Sequence, residues 1–130
     1  MTTDELRSIP LFDSLTDEQL ADVARRFTDV EVDLGTVLAR RGDFAYHFFL
    51  VRAGIAAVAV DERLLTTLGP GDTFGEIGIL RRGKRTANVV ALTEMRLATM
   101  TIWDFNEVSH SVPQLVDRAR AVAEERLERG

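Results

Sequence analysis

A cluster of positive charge stands out in the middle of an acidic chain. The stretch 74–91 reads FGEIGILRRGKRTANVVA, and Arg81, Arg82, Lys84 and Arg85 fall within five residues of it, although the net charge of the whole chain is -5. Arg85 directly precedes a run of small and β-branched residues, so a strand should hold its stem. An arginine held beside the free N–H groups of a helix start suits a phosphate. The stretch therefore predicts an anion site at Arg85, whereas the other three cations fit a solvated loop.

One carboxylate lies just upstream of this cluster. Glu76 opens a short apolar run at 76–80 that we interpret as one helical turn after a glycine-rich approach, GPGDTFG. A lone carboxylate beside an anion would repel it unless the carboxylate accepted a hydrogen bond from a hydroxyl group. A sugar supplies such a hydroxyl. Phosphate and sugar hydroxyl together predict a nucleotide as the ligand.

The composition excludes several other classes of protein. The chain has 130 residues, 45% of them hydrophobic and 28% charged, which is typical of one globular domain. It has no cysteine and therefore neither a disulfide framework nor thiolate chemistry. Its acidity argues against direct nucleic-acid binding. No apolar run reaches membrane-spanning length and the N-terminus has no signal-peptide pattern, so we expect a cytoplasmic protein with no membrane segment in this chain.

The hydrophobic pattern divides the chain into helical ends and a β-rich middle. Thr16 and Gln19 have the spacing of a capping box, which predicts a helix over 17–26. A short helix should begin near Trp103, and a second one over 113–129 begins at Pro113. Short β-rich runs separated by Gly and Asp predict a sandwich or barrel, with strands at 30–33, 36–40, 47–52, 55–60, 64–68, 88–92 and 95–101. We expect a single domain over 1–130, with a helical N-terminus at about 1–28, a β-roll at about 29–101 and C-terminal helices at about 102–130.

The stretch at 74–91 resembles the phosphate-binding cassette of cyclic nucleotide-binding domains, which occur in catabolite-activator-type regulators, cyclic-nucleotide-dependent kinases and gated channels. That cassette has Phe-Gly-Glu, an apolar turn, a variable loop, then Arg, a small residue, Ala and a β-branched strand. IPLFDSLTDEQL is similar to the N-terminal helical motif of the family, and RRGDFAYHFFLVRAGIAAV to its Gly-Asp strand pair. The resemblance implies a mainly β fold: an eight-stranded antiparallel β-roll, jelly-roll-like, with an N-terminal helical segment, a short phosphate-binding helix and C-terminal helices.

The resemblance also implies roles for individual residues. Arg85 matches the arginine that pairs with the cyclic phosphate, and Glu76 the acid that accepts from the ribose 2′-hydroxyl. Thr86 matches a position where a threonine hydroxyl can bond the phosphate and often accompanies cGMP binding. The full set of expected ligand-binding residues is Phe74, Gly75, Glu76, Ile77, Arg85, Thr86 and Ala87. The implied function is a cAMP or cGMP sensor that relays a conformational change through its C-terminal helix, to a second copy of the chain or to a separate effector protein or domain.

The C-terminal helix carries an apolar stripe that must cover something. Leu115, Val116, Ala119 and Val122 are candidates to cover the nucleotide base, and Arg118 or Arg120 to stack on the purine. The alternative is that the stripe packs on the β-roll or on a second copy of the chain.

Two other functions remain as alternatives. One is a degenerate β-roll that binds no nucleotide and serves as an interaction platform. The other is a cupin-like metal enzyme. The only histidines of this chain, His47 and His110, are far apart in the sequence and have no acid cluster beside them, which argues against a metal site. We therefore expect no metal and no catalysis. The aromatic side chains should be core residues, namely Phe48, Phe49, Phe74, Trp103 and Phe105.

Overall fold

The computed structural model describes residues 1–44, 46–75, 85 and 87–129, with residues 122–129 described by their backbone alone. The helices of this part of the chain are α1 (Thr3–Arg7), α2 (Asp17–Arg26), α3 (Ile102–Ser111) and α4 (Pro113–Arg129), with a short 3-10 helix at Pro10–Phe12. The strands are β1 (Thr28–Val32), β2 (Val37–Ala39), β3 (His47–Ala53), β4 (Ala56–Val60), β5 (Arg63–Leu68), β6 (Thr73–Phe74), β7 (Asn88–Ala91) and β8 (Met95–Thr101).

The local signals of the sequence fix most of these bounds. The capping box at α2 is formed: the Gln19 amide donates to Thr16 Oγ1 at 3.2 Å, and the Thr16 amide donates to Gln19 Oε1 at 2.9 Å. The seven predicted strands are confirmed, each within about two residues. The sequence analysis did not identify α1, which Thr2 caps, or β6. The predicted phosphate-binding helix at 76–80 lies outside the described residues.

The strands form two antiparallel sheets. One has the order β1-β8-β3-β6 and the other β2-β7-β4-β5. Non-consecutive strands are neighbours in both, which is typical of a jelly-roll-like fold. The strand β6 is only two residues long and exists because Phe74 pairs with Phe49, and Thr73 with Leu50. A pairing between such distant residues leaves no local pattern, which is why the sequence analysis missed it.

The core has two parts, on opposite faces of the β1-β8-β3-β6 sheet. Alternation along β3 sends Phe48 and Leu50 toward the helices, while Val51 faces the other sheet. The strand β8 alternates in the same way, with Met100 on the helical side and Leu97 between the sheets. This sheet is therefore covered on both faces, and the second sheet closes the roll.

The expected aromatic core is correct in part. Phe48, Phe74 and Phe105 are buried and Phe49 is half-buried, but Trp103 is 70% exposed. The prediction for Trp103 was wrong because α3 buries the face that carries Phe105 and Val108. Trp103 lies two residues before Phe105, about 200° around the helix, and so points to solvent.

The C-terminal helix α4 packs against the N-terminal helical segment. Leu115 and Ala119 are buried in the same cluster as Leu11 and Phe12. Arg118 donates from Nε to the Pro10 carbonyl at 2.8 Å and from Nη2 to Asp13 Oδ2 at 3.0 Å. The stripe of α4 therefore joins the two ends of the chain into one helical layer, which also rests on strands β3 and β8.

Two ion pairs, both made by Arg26, join α2 to α3 within this layer. Arg26 of α2 donates to Asp104 at 2.8 Å and to Glu107 at 3.3 Å, both on α3. The hydrogen bond with Glu107 raises the pKa of Arg26; partial burial opposes the rise, and the charges of Asp22 and Glu107 add to it. These ion pairs therefore stabilise the contact between α2 and α3 and lie outside the space between the two sheets.

Candidate nucleotide-binding site

Backbone hydrogen bonds hold Arg85 in place. Its amide donates to the Asp43 carbonyl at 2.7 Å, and the Gly42 amide donates to the Arg85 carbonyl at 3.0 Å. The turn between β2 and β3 is thus hydrogen-bonded to Arg85, which lies three residues before β7. Arg41 adds a third link, because its amide donates to Asn88 Oδ1 at 2.8 Å. The Gly-Asp motif recognised in the sequence therefore positions the backbone of Arg85.

The Arg85 guanidinium lies between a carbonyl group and an aromatic ring. Its Nη2 donates to the His47 carbonyl at 2.5 Å, and its Cζ lies 5.7 Å from the centroid of the Phe49 ring. Phe49 in turn stacks on Phe74, with centroids 4.5 Å apart and ring planes 6° apart. The strand pair β3-β6 thus supplies an aromatic platform that orients the cation.

Gly75 lies against the same guanidinium. Its φ is +99°, and a Cβ built on it would lie 2.6 Å from Arg85 Nη1 and 2.7 Å from the His47 carbonyl oxygen. An L side chain rarely adopts this φ, and neither contact leaves room for a methyl group. The glycine of the Phe-Gly-Glu motif is therefore required by its backbone conformation and by its closeness to Arg85.

A cavity of about 220 Å³ opens beside Arg85. Its wall is formed by β2, the turn that follows β2, the start of β3 and Arg85 itself. The charged groups of this wall are Arg40, Asp43 and Arg85, so the formal charge of the lining is positive. The lining residues are Val37, Leu38, Ala39, Arg40, Asp43, Phe44, Tyr46, His47, Phe49 and Arg85. The cavity offers an anion a guanidinium at one side and apolar and aromatic surface around it.

The structure brings together three of the seven expected ligand-binding residues. Arg85 lines the cavity, Gly75 touches its guanidinium, and Phe74 supports it through Phe49. Ala87 lies just before β7 and packs on the cluster between the sheets. The other three expected residues, Glu76, Ile77 and Thr86, lie outside the described residues.

Sequence reasoning missed the part of the site formed by the turn before β3 and by the start of β3. It treated Phe49 only as core and gave Asp43 no role beyond the motif, whereas both line the cavity. The available signal was the Gly-Asp turn followed by an aromatic strand. Among the α4 residues proposed as a base cover, those with described side chains do not line the cavity: Leu115 and Ala119 are buried among the helices, and Arg118 contacts the N-terminal segment. The side chain of Val122 lies outside the described part of the chain.

The part of the chain that the structure describes contains neither a cluster of metal-ligating side chains nor a membrane-spanning helix. Within 1–121, apart from the gaps at 45, 76–84 and 86, the His, Asp and Glu side chains form no group of three that could hold a metal ion. No helix in the described ranges is both long and apolar enough to cross a membrane.

A family model for the cyclic nucleotide-binding domain matches residues 29–111, more than half of the chain. The chain belongs to the cyclic nucleotide-binding domain family. Both the expected family and the expected β-roll fold are thereby confirmed. Members of this family are regulatory ligand-binding modules.

Individual relatives agree with this assignment. A cyclic nucleotide-gated potassium channel of Rhizobium etli is 31% identical over 119 residues, which cover 92% of this chain and 33% of the channel. The regulatory domain of Toxoplasma gondii PKA, solved with cAMP, is 29% identical with a TM-score of 0.77, over 82% of this chain and 42% of that one. The catabolite activator protein of Thermus thermophilus is 27% identical with a TM-score of 0.80, over 92% and 58%. This chain thus spans about a third of the curated channel.

Proposed function

We propose that this cyclic nucleotide-binding domain senses cAMP or cGMP and holds the cyclic phosphate on Arg85. The observation that carries the proposal is the guanidinium held at the wall of the cavity by the His47 carbonyl and the Phe49 ring. An arginine oriented in advance loses little side-chain entropy when it binds an anion. The similar regulatory domain of Toxoplasma gondii PKA was solved with cAMP, which supports the choice of ligand.

The remaining cassette residues complete the proposed site. Gly75 brings the backbone close to the ligand, and Glu76 accepts a hydrogen bond from the ribose 2′-hydroxyl. In this proposal the N–H groups of Glu76, Ile77 and Ala87 donate to the ligand, and the Thr86 hydroxyl bonds the phosphate. Phe74 acts indirectly, by stacking on the ring that carries the guanidinium. Each group binds or orients the nucleotide and none breaks a bond in it, so the proposed domain is not an enzyme.

Replacement of Arg85 tests this function directly. Loss of a charge-assisted pair in a partly desolvated site costs about 2–5 kcal/mol, which is a loss of about thirtyfold or more in affinity. We expect isothermal titration calorimetry of Arg85→Ala to give this loss for both nucleotides. Arg63→Ala, which removes one exposed positive charge outside the cavity lining, should keep the affinity of the unaltered protein.

The same titration separates this function from the degenerate β-roll. A degenerate module would bind neither cAMP nor cGMP before any substitution. If the unaltered protein binds and Arg85→Ala binds equally well with an intact circular dichroism spectrum, the phosphate is held elsewhere. Glu76→Gln should cost less than Arg85→Ala, about 1–2 kcal/mol, because it keeps an acceptor and loses only the charge.

We also propose that residues 1–130 act as one domain and that α4 relays ligand binding to a second copy or to a separate effector. Leu115 and Ala119 are already engaged with the N-terminal segment, so these two residues could cover the base only after a rearrangement of α4. A ligand shifts such an equilibrium only through contacts that differ between the two states.

Hydrogen exchange with and without cyclic nucleotide tests the relay. We expect slowed amide exchange in both the cassette, 74–89, and the tail, 113–127. Slowed amide exchange in the cassette alone would be consistent with ligand binding but would refute the proposal that α4 relays it.

A further inference from the structure

His47 is placed to contact the same ligand as Arg85. It lies at the start of β3, where alternation sends Phe48 into the helical cluster and turns His47 and Phe49 to the opposite face. The rings of His47 and Phe49 are 6.2 Å apart, and both residues line the cavity with Arg85. The imidazole is exposed, so it is accessible to solvent protons and to a ligand.

We propose that the His47 side chain is a second cationic contact for the nucleotide phosphate, and that it couples affinity to pH. The inference rests on the proposed function, in which the phosphate binds at Arg85. Histidine changes its charge between about pH 5 and 8, whereas a cyclic phosphate diester stays a monoanion in that range. A protonated imidazole beside the phosphate adds attraction, so the domain binds its ligand more tightly as pH falls.

The other charged groups around His47 allow this role. The cavity wall carries Arg40 and Asp43 from β2 and the turn after it, Tyr46 just before β3, and Arg85. On the neighbouring strand β8 the residue opposite His47 is Thr101, which is uncharged. A bound anion attracts a positive charge on the imidazole. By linkage, protonation of the imidazole then favours binding of the anion to the same extent.

The size of the effect follows from the geometry. The 6.2 Å between the rings and the 5.7 Å from the Phe49 ring to the Arg85 guanidinium place the imidazole at most about 12 Å from the cation that holds the phosphate. One unit charge at about that distance changes affinity about twofold in bulk water and about tenfold at an effective dielectric constant of about 20. The dissociation constant should therefore fall about twofold to tenfold between pH 7.5 and pH 5.5.

The contact that Arg85 makes here is to the main chain of His47, so the imidazole can be replaced without removing the acceptor of that hydrogen bond. The chain also offers a matched control. It has two histidines and no cysteine, and His110 lies on α3, where its Nδ1 is 2.8 Å from the Asn106 carbonyl oxygen and its ring is outside the cavity lining.

The experiment measures cAMP affinity at about pH 5.5 and 7.5 for the unaltered chain, His47→Gln, His110→Gln and His47→Lys. We expect the twofold to tenfold gain at low pH in the unaltered chain and in His110→Gln, and no gain in His47→Gln. His47→Lys carries a permanent charge and should bind equally well at both pH values, as tightly as the unaltered chain at pH 5.5.

Three results overturn the inference while leaving the proposed function in place: equal affinity of the unaltered chain at both pH values, an unchanged pH dependence in His47→Gln, or no gain from His47→Lys at pH 7.5. Absence of cAMP and cGMP binding by the unaltered chain at either pH refutes the proposed function itself, and this inference with it.

Discussion

Replacement of Gly75 by alanine should damage both the stability of the domain and its ligand site. The new Cβ would lie 2.6 Å from Arg85 Nη1 and 2.7 Å from the His47 carbonyl oxygen, at a residue whose φ is +99°. The carbonyl cannot retreat easily, because β3 is paired with β8 at His47. The guanidinium must therefore move, and it loses its hydrogen bond to that carbonyl or its position over the Phe49 ring.

The cost can be estimated from three contributions. A non-glycine residue at positive φ costs about 1–2 kcal/mol, partly offset by about 0.4–1 kcal/mol from the lower entropy of the unfolded chain. Crowding of a packed site adds about 1–3 kcal/mol. We expect Gly75→Ala to lose about 2–4 kcal/mol of unfolding free energy in urea titration. If Arg85 holds the phosphate as proposed, the nucleotide affinity should fall about tenfold or more, because the displaced guanidinium no longer meets it.

Gly71→Ala is the matched control for backbone strain. Gly71 has a φ of +90°, but nothing lies within 4 Å of a Cβ built there. It should lose only about 1 kcal/mol of stability and keep the affinity of the unaltered protein. If Gly75→Ala and Gly71→Ala give the same unfolding free energy and the same dissociation constant, the close approach of Gly75 to Arg85 does not control the site.

Two further predictions concern the helical layer. Burial acts to raise the pKa of Glu5, but the charge of Arg52 and hydrogen bonds with Thr2 and Arg52 outweigh it, so the pKa lies below its ordinary value of 4.5. The Glu5–Arg52 pair should therefore stabilise the domain above about pH 4.5. This stabilisation should be lost as the pH falls through the lowered pKa of Glu5 in the folded protein. In urea titrations along a pH series, the free energy of unfolding of Arg52→Met should fall less at acid pH than that of the unaltered protein. An identical pH profile for the two proteins would contradict the pairing. Arg118→Ala should cost about 0.2–1 kcal/mol, since its ion pair is partly exposed, and should speed amide exchange in α4, whereas the exposed Arg120→Ala should change neither.

Local patterns in the sequence determined the elements and the identity of the key cation. The capping box around Thr16 and Gln19 fixed the start of α2, because both hydrogen bonds join residues three positions apart. Short β-rich runs predicted strands such as β8. Arg85 was recognisable because the whole cassette is contiguous in the chain.

The tertiary structure decided the features that depend on residues far apart in the chain. The two-residue strand β6 exists only through its pairing with β3, and the orientation of Arg85 depends on a carbonyl 38 residues away. Trp103 was expected in the core because it is large and apolar, but the burial of one face of α3 leaves it in solvent. The stripe of α4 predicted that something must be covered, and only the packing identified the N-terminal helical segment as the surface it covers. A sequence pattern specifies which face of an element is apolar, whereas the partner of that face is set by chain topology, which no local pattern contains.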